Sequence, residues 1–240
     1  MSSSTGQVGA VSLLARYPVK SMRGEQLARA EVEPRGLAGD REWAVYTPDG
    51  GIGSGKSSRR FRRVDGLLGF RASLDGADGT APLIESPAGA RFRAAEPMAD
   101  ELLSTALGQP LRLGREAGVR HHDDSGLHLV TTAAIRQVAE LLGDAVDVAR
   151  FRPNFVLDVP GMGFVEDGWI GRELRLGNEV VIRLGTGMPR CVMVDLPQGP
   201  LGRDGRILKL LGRERRLLLG LKAEVVRGGT VRQGDPAFLE

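Results

Sequence analysis

Among 240 residues there is one cysteine, Cys191, and it closes the segment Gly187-Met188-Pro189-Arg190-Cys191. A lone thiol makes no intramolecular disulfide, holds no four-thiolate iron–sulfur cluster and builds no multi-cysteine zinc site. The adjacent Arg190 favours the thiolate, the form that binds soft metal ions. The apolar run Val192-Met193-Val194 that follows leaves open the plainer reading of a small core residue.

Two further segments carry groups suited to an anion. Arg150-Phe151-Arg152-Pro153-Asn154 enters a strand, and Thr131-Thr132 opens a helix. Guanidinium groups pair with phosphate through two parallel hydrogen bonds, asparagine offers donor and acceptor together, and a helix start presents free amides. Together these would suit a phosphorylated heterocycle.

Two other patterns read less well as sites. Gly50 to Ser57 satisfies the phosphate-loop pattern G-x-x-x-x-G-K-[ST], but a true phosphate loop opens a long helix. Ser58-Arg59-Arg60-Phe61-Arg62-Arg63 has no apolar stripe, so a glycine-rich hairpin with exposed cations is expected. His121, His122 and His128, with Asp123 and Asp124, offer zinc or iron ligands. Neighbouring histidines on extended backbone point apart, and a polar loop is expected there.

The elements that must position these residues are mostly strands. Alternation or apolar density marks Val11–Tyr17, Trp43–Tyr46, Leu67–Leu74, Arg91–Ala94, Phe155–Asp158, Glu173–Leu176, Val180–Leu184 and Leu217–Val225. Two helices stand out. Ala99, Leu102, Leu103 and Ala106 follow helical spacing, with Gly108 after the end. Ile135, Val138, Ala139 and Leu142 form a second stripe, N-capped by Thr131 or Thr132 and stopped by Gly143. Many strands and few helices predict an α+β fold, mainly β, dividing near residues 95–120.

Composition bounds the function classes. A hydrophobic fraction of 41% and a charged fraction of 26% are those of an ordinary globular protein. With 33 basic against 30 acidic residues, the net charge of +3 gives little support to nucleic-acid binding. No apolar run reaches ~18 residues and the start Met1–Gly6 lacks leader features, so no membrane role and a cytoplasmic location are expected. The arginine runs at 59–63 and 213–216 read as solvated faces.

Tyr17-Pro18-Val19-Lys20-Ser21-Met22-Arg23-Gly24 followed by Gly36-Leu37-Ala38-Gly39-Asp40-Arg41-Glu42-Trp43 resembles the N-terminal β-barrel module that precedes many MOSC domains. Phe151-Arg152-Pro153-Asn154, Glu166-Asp167-Gly168-Trp169, Pro189-Arg190-Cys191 and Gly234-Asp235-Pro236 then follow in the order of the MOSC domain. Over nearly its whole length the chain is similar to the mitochondrial amidoxime-reducing components and their bacterial relatives. Met22, Ala134 and Gly126 depart from that pattern, standing where a cysteine, a small hydroxyl residue and a proline are common.

The resemblance implies an N-terminal β-barrel module over residues 7–95, a connecting helix and loop over 96–120, and a MOSC-type β-barrel domain over 121–240. It implies a molybdenum cofactor of the molybdopterin type, with Cys191 as the metal ligand and catalytic centre. Lys20, Ser21, Arg41, Thr131, Thr132, Arg152, Asn154 and Arg190 would contact the cofactor. The implied activity is reduction of small N-hydroxylated compounds by a molybdenum oxidoreductase. Because the cysteines of a ferredoxin-like extension are missing, electrons would come from a separate ferredoxin- or flavoprotein-like donor. The alternative is a carrier of the cofactor or of a Cys191 persulfide, since similar domains end the molybdenum-cofactor sulfurases.

Overall fold

The computed structural model describes residues 6–74 and 81–240, so the opening segment read for a leader lies outside it apart from Gly6. Seven strands close into a barrel. In chain order they are β1 (Gly6–Arg16), β2 (Leu127–Thr131), β3 (Phe155–Asp158), β4 (Glu173–Leu176), β5 (Val180–Pro189), β6 (Leu218–Arg227) and β7 (Pro236–Leu239). Around the barrel they run β3-β2-β6-β5-β4-β7-β1, and β1 returns to pair with β3. Only β2 and β3 are parallel, with Leu129 opposite Phe155. The helix that joins them in sequence is α2 (Thr132–Leu142), the crossover that a parallel pair requires.

Alternation explains the barrel interior. Along β6, Leu219, Leu221 and Ala223 are buried while Lys222 and Glu224 are not, so one face of the strand points inward. Val11 and Leu14 of β1 join Leu129, Phe155, Leu157, Ile182, Leu184 and Leu221 in that core. Closure therefore takes one strand from the N-terminal segment and six from the C-terminal half.

The rest of the N-terminal segment forms smaller sheets. Trp43–Tyr46 lies between Arg112–Arg115 and Ile52–Ser54, and the last of these pairs with Phe61–Arg63. Arg71–Ser73, Leu83–Glu85 and Arg91–Arg93 make a second sheet. Their shared core includes Val19, Met22, Phe70, Ile84 and Phe92, capped by Leu103 of helix α1 (Ala99–Leu107). Met22 is fully buried here, so an apolar side chain at that position has a packing reason.

Helix α2 is N-capped by Thr131, whose hydroxyl accepts from the Ala134 amide at 3.0 Å, and ends at Gly143 in the left-handed conformation. A third helix, α3 (Arg206–Arg215), takes in Arg213–Arg215; Arg213, Glu214 and Arg216 are exposed, in keeping with a solvated face, but the helix itself was not read from the sequence. Ile207, Leu210 and Leu211 are buried against Val138 and Phe151, a short helical stripe without a side-chain N-cap to announce it. Leu67–Leu74 also differs. Gly66 at φ 89° starts a single 3₁₀ turn over Leu67–Gly69 before the strand Arg71–Ser73. Among the described residues no helix is long and apolar enough to cross a membrane.

Candidate functional site

A cavity of about 190 Å³ opens where several chain segments leave their strands. Lys20 and Ser21 follow β1, His128 is the second residue of β2, Arg152 and Asn154 precede β3, and Arg190 and Cys191 follow β5. Ser54 and Lys56 reach it from the glycine-rich hairpin, and Asp123 from the loop before β2. Cys191, half-buried, precedes the 3₁₀ turn Val192–Val194, so its sulfur lies on the cavity wall and not within an aliphatic core.

Backbone conformation marks the same place. Five non-glycine residues among those described have positive φ, and Ser21 (64°), Arg41 (53°) and Arg152 (53°) all line this cavity. Each such residue costs on the order of 1 kcal/mol or more and persists because its surroundings hold it. The Arg41 amide donates to the Tyr17 carbonyl at 2.8 Å, and the Arg152 amide to the Ala149 carbonyl at 3.0 Å.

The two guanidinium groups flank one ring. Arg152 lies 4.3 Å and Arg41 4.7 Å from the centre of buried Tyr17, a stacked arrangement that desolvates both cations. Arg152 donates to the Met22 carbonyl at 2.6 Å. Arg41 pairs with Asp40, a fully buried carboxylate that also accepts the Tyr17 amide at 2.7 Å and lies 3.4 Å from His122. Burial pushes the Asp40 carboxyl upward, yet Arg41 and His122 more than offset it and hold it at about 2.

Arg190 donates to the Phe151 carbonyl at 2.8 Å and approaches His128 at 3.4 Å. Its Nε is buried without a hydrogen-bond partner. Burial draws its guanidinium down to about 10 while the Cys191 sulfur pulls the other way. Arg152 is drawn to about 10 by burial and by repulsion from Arg41. His128 is held neutral, well below the ordinary histidine range, by burial and by Arg190.

Lys20, only 6% exposed, pairs with Asp123 and lies 4.5 Å from the centre of the Phe61 ring. Burial brings its amine down to about 8 against the opposing pull of Asp123. The other carboxylate oxygen of Asp123 takes Lys56 at 2.6 Å. Five basic side chains, Lys20, Arg41, Lys56, Arg152 and Arg190, thus face Asp123 and Asp124 across one cavity.

Seven of the nine residues singled out in the sequence meet here: Lys20, Ser21, Arg41, Arg152, Asn154, Arg190 and Cys191. Asn154 has its polar atoms occupied, accepting the His128 amide at 3.1 Å and donating to the Ala15 carbonyl at 3.2 Å, so it clamps β1, β2 and β3 together. Thr131 and Thr132 are elsewhere, at the far end of β2. The Thr131 hydroxyl caps α2 and donates to Glu166 at 2.8 Å, and that of Thr132 donates to Asp158 at 2.9 Å. With those partners, neither hydroxyl faces the cavity.

Lys56, Ser54, Asp123 and His128 were not legible as members of the site. For Lys56 the signal existed as the phosphate-loop-like string, whose expected exposure is corrected: Lys56 is folded back over Phe61 at 5.0 Å. His121 and His122 lie in the polar loop before β2, as expected, and His128 lies in β2 itself. His121 meets the Tyr46 hydroxyl at 2.6 Å and the Arg41 carbonyl at 3.0 Å, and all three histidines are buried.

Residues 8–76 match the model of the MOSC N-terminal beta barrel domain, and residues 116–237 that of the MOSC domain. Mitochondrial amidoxime reducing component 2 of Rattus norvegicus is 26% identical over 97% of this chain and 83% of its own length. Mitochondrial amidoxime-reducing component 1 of Homo sapiens is 24% identical with the same coverage. The YUAD protein from Bacillus subtilis superposes with a TM-score of 0.55 at 12% identity, covering 98% of this chain and 97% of that one, which supports the fold alone. The second of the matched models spans just over half of the sequence, and its residues supply six strands of the barrel and the cysteine on the cavity wall: the chain belongs to the MOSC domain family.

Proposed function

We propose that the cavity holds a molybdenum cofactor and that the protein reduces N-hydroxylated compounds. The observation that carries this reading is the Cys191 sulfur on one wall with five basic side chains, Lys20 buried and the other four part-buried. The residues fit an anionic, metal-bearing group. Part-buried guanidiniums drawn down to about 10 and an unpartnered Arg190 Nε call for an anion to restore their solvation.

Cys191 would be the protein's ligand to the metal, with the Arg190 guanidinium beside it. Arg41, Arg152 and Lys20 would hold the anionic parts of the cofactor. When bound, the molybdenum supplies two-electron oxygen removal chemistry. An amidoxime takes up two electrons and two protons and gives an amidine and water. The electrons would come from a separate redox protein. Neutral His128 beside Arg190 keeps that side of the cavity free of a further cation.

The reading is tested with full-length protein purified from a host that makes the cofactor. Molybdenum and pterin should copurify, and benzamidoxime should be reduced with a chemical donor. Cys191→Ala should lose metal and at least a hundredfold of turnover. Cofactor or persulfide bound without turnover would instead identify a carrier.

A further inference from the structure

Asp123 holds an unusual position, with one carboxylate oxygen on the buried Lys20 amine and the other on Lys56 at 2.6 Å. Both amines lie over the same Phe61 ring, at 4.5 and 5.0 Å from its centre. Two cations gripped by two oxygens of one anion is the geometry with which a phosphate is bound. Asp123 also borders a second cavity of about 430 Å³, next to Arg60, the exposed Arg120 and His122. The carboxylate therefore has a second cationic place within reach.

We propose that Lys20 and Lys56 form a phosphate-monoester site that Asp123 fills from within the chain, and that an incoming phosphate displaces the Asp123 carboxylate toward the adjoining Arg60–Arg120 cavity. The inference extends the cofactor reading and takes the phosphate to be the cofactor's own. A phosphate brings more charge and a third oxygen, so it outcompetes one carboxylate for two ammonium groups. Asp123 meanwhile keeps the pair from being left as unpaired buried cations when no ligand is bound. Coulombic pull from both lysines keeps that carboxylate ionised despite its burial, so it is available as a counter-anion throughout the physiological range. Lys56 is the half-exposed arm of the grip, with Lys20 fixed beneath it.

The test uses the full-length chain from a cofactor-deficient host, titrated with inorganic phosphate by calorimetry and followed by backbone amide NMR. Asp123→Asn should bind phosphate at least tenfold tighter than the unaltered chain, and Lys56→Gln at least tenfold weaker. In the unaltered chain the amides of residues 119–126 should shift with phosphate. Unchanged or weaker binding by Asp123→Asn overturns the proposal. Should that variant fail to fold, Lys56→Gln with unaltered affinity, or a loop that does not respond, overturns it equally. Cofactor-loaded protein should no longer bind inorganic phosphate, and retained affinity would overturn the assignment to the cofactor. None of these readings involves amidoxime turnover. Loss of turnover with the phosphate pattern intact would sink the reductase reading alone, and the reverse result would sink only the role of Asp123.

Discussion

At the scale of single residues, chemistry-bearing side chains were legible where residue type and neighbours agree. Cys191 beside Arg190, and Arg152 ahead of a strand, are local facts. What local sequence does not carry is which polar atoms are already occupied. Asn154 reads as a ligand and serves as a clamp, while Lys56 reads as an exposed cation and faces the cavity. Glu166 is the sharpest such case, being 1% exposed with one oxygen held by Thr131 and Oε1 without a partner. Burial raises its carboxyl to about 7. Because the folded value lies above the unfolded one, near 4.5, the neutral form favours folding. That contribution is full below about pH 4.5 and is lost as pH rises through 7. A shift of this size is worth about 3 kcal/mol. Urea midpoints of the Glu166→Gln variant relative to the unaltered chain should therefore improve by that order between pH 5 and pH 8. A difference that stays constant with pH would show that Glu166 remains ionised in the fold.

Elements were legible to the extent that their signals are periodic and bounded. Helix α2 has an apolar stripe, a capping threonine and a terminal glycine, and all three act as the spacing suggests. Helix α3 has a stripe of three residues and no side-chain cap, which leaves its sequence hard to distinguish from a charged loop. Close approach between elements is also silent in the sequence. A Cβ at Gly126 would lie 2.3 Å from the Arg35 carbonyl oxygen, so the backbone crossing at Arg35–Gly36 requires glycine. The two roles offered for Thr131 make different demands on a variant. As a cap, Thr131→Ala should lower stability by about 1 kcal/mol, with a further loss from the unpaired Glu166 oxygen. As a cofactor contact, it should lower molybdenum content per folded molecule. The hydrogen bonds favour the first outcome, to be read by chemical denaturation alongside metal analysis.

At the scale of the whole molecule, the balance of strands and helices was legible, but the pairing that closes the barrel was not. β1 lies opposite residues 155–158 and 236–239, and the short strand Arg29–Glu33 pairs with Gly229–Arg232. Contacts across such separations leave no trace in local periodicity, because alternation fixes which face of a strand is buried and not which strand lies beside it. The pairing bears on whether the segment matched by the MOSC model can stand alone. A fragment of residues 116–240 keeps six barrel strands and Cys191 but loses β1, which exposes the edges of β3 and β7 and removes Val11 and Leu14 from the core. Those two side chains alone are worth roughly 3–6 kcal/mol, against a typical total stability of about 5–15 kcal/mol. Tyr17, Lys20 and Arg41 are lost with it, so the guanidinium of Arg152 loses its aromatic support. The fragment should give a collapsed amide NMR spectrum and no cooperative unfolding, and mixing it with separately produced residues 1–115 should restore both. A dispersed spectrum and a cooperative transition from the fragment alone would mean that six strands suffice, with β1 a cover and not a stave of the barrel.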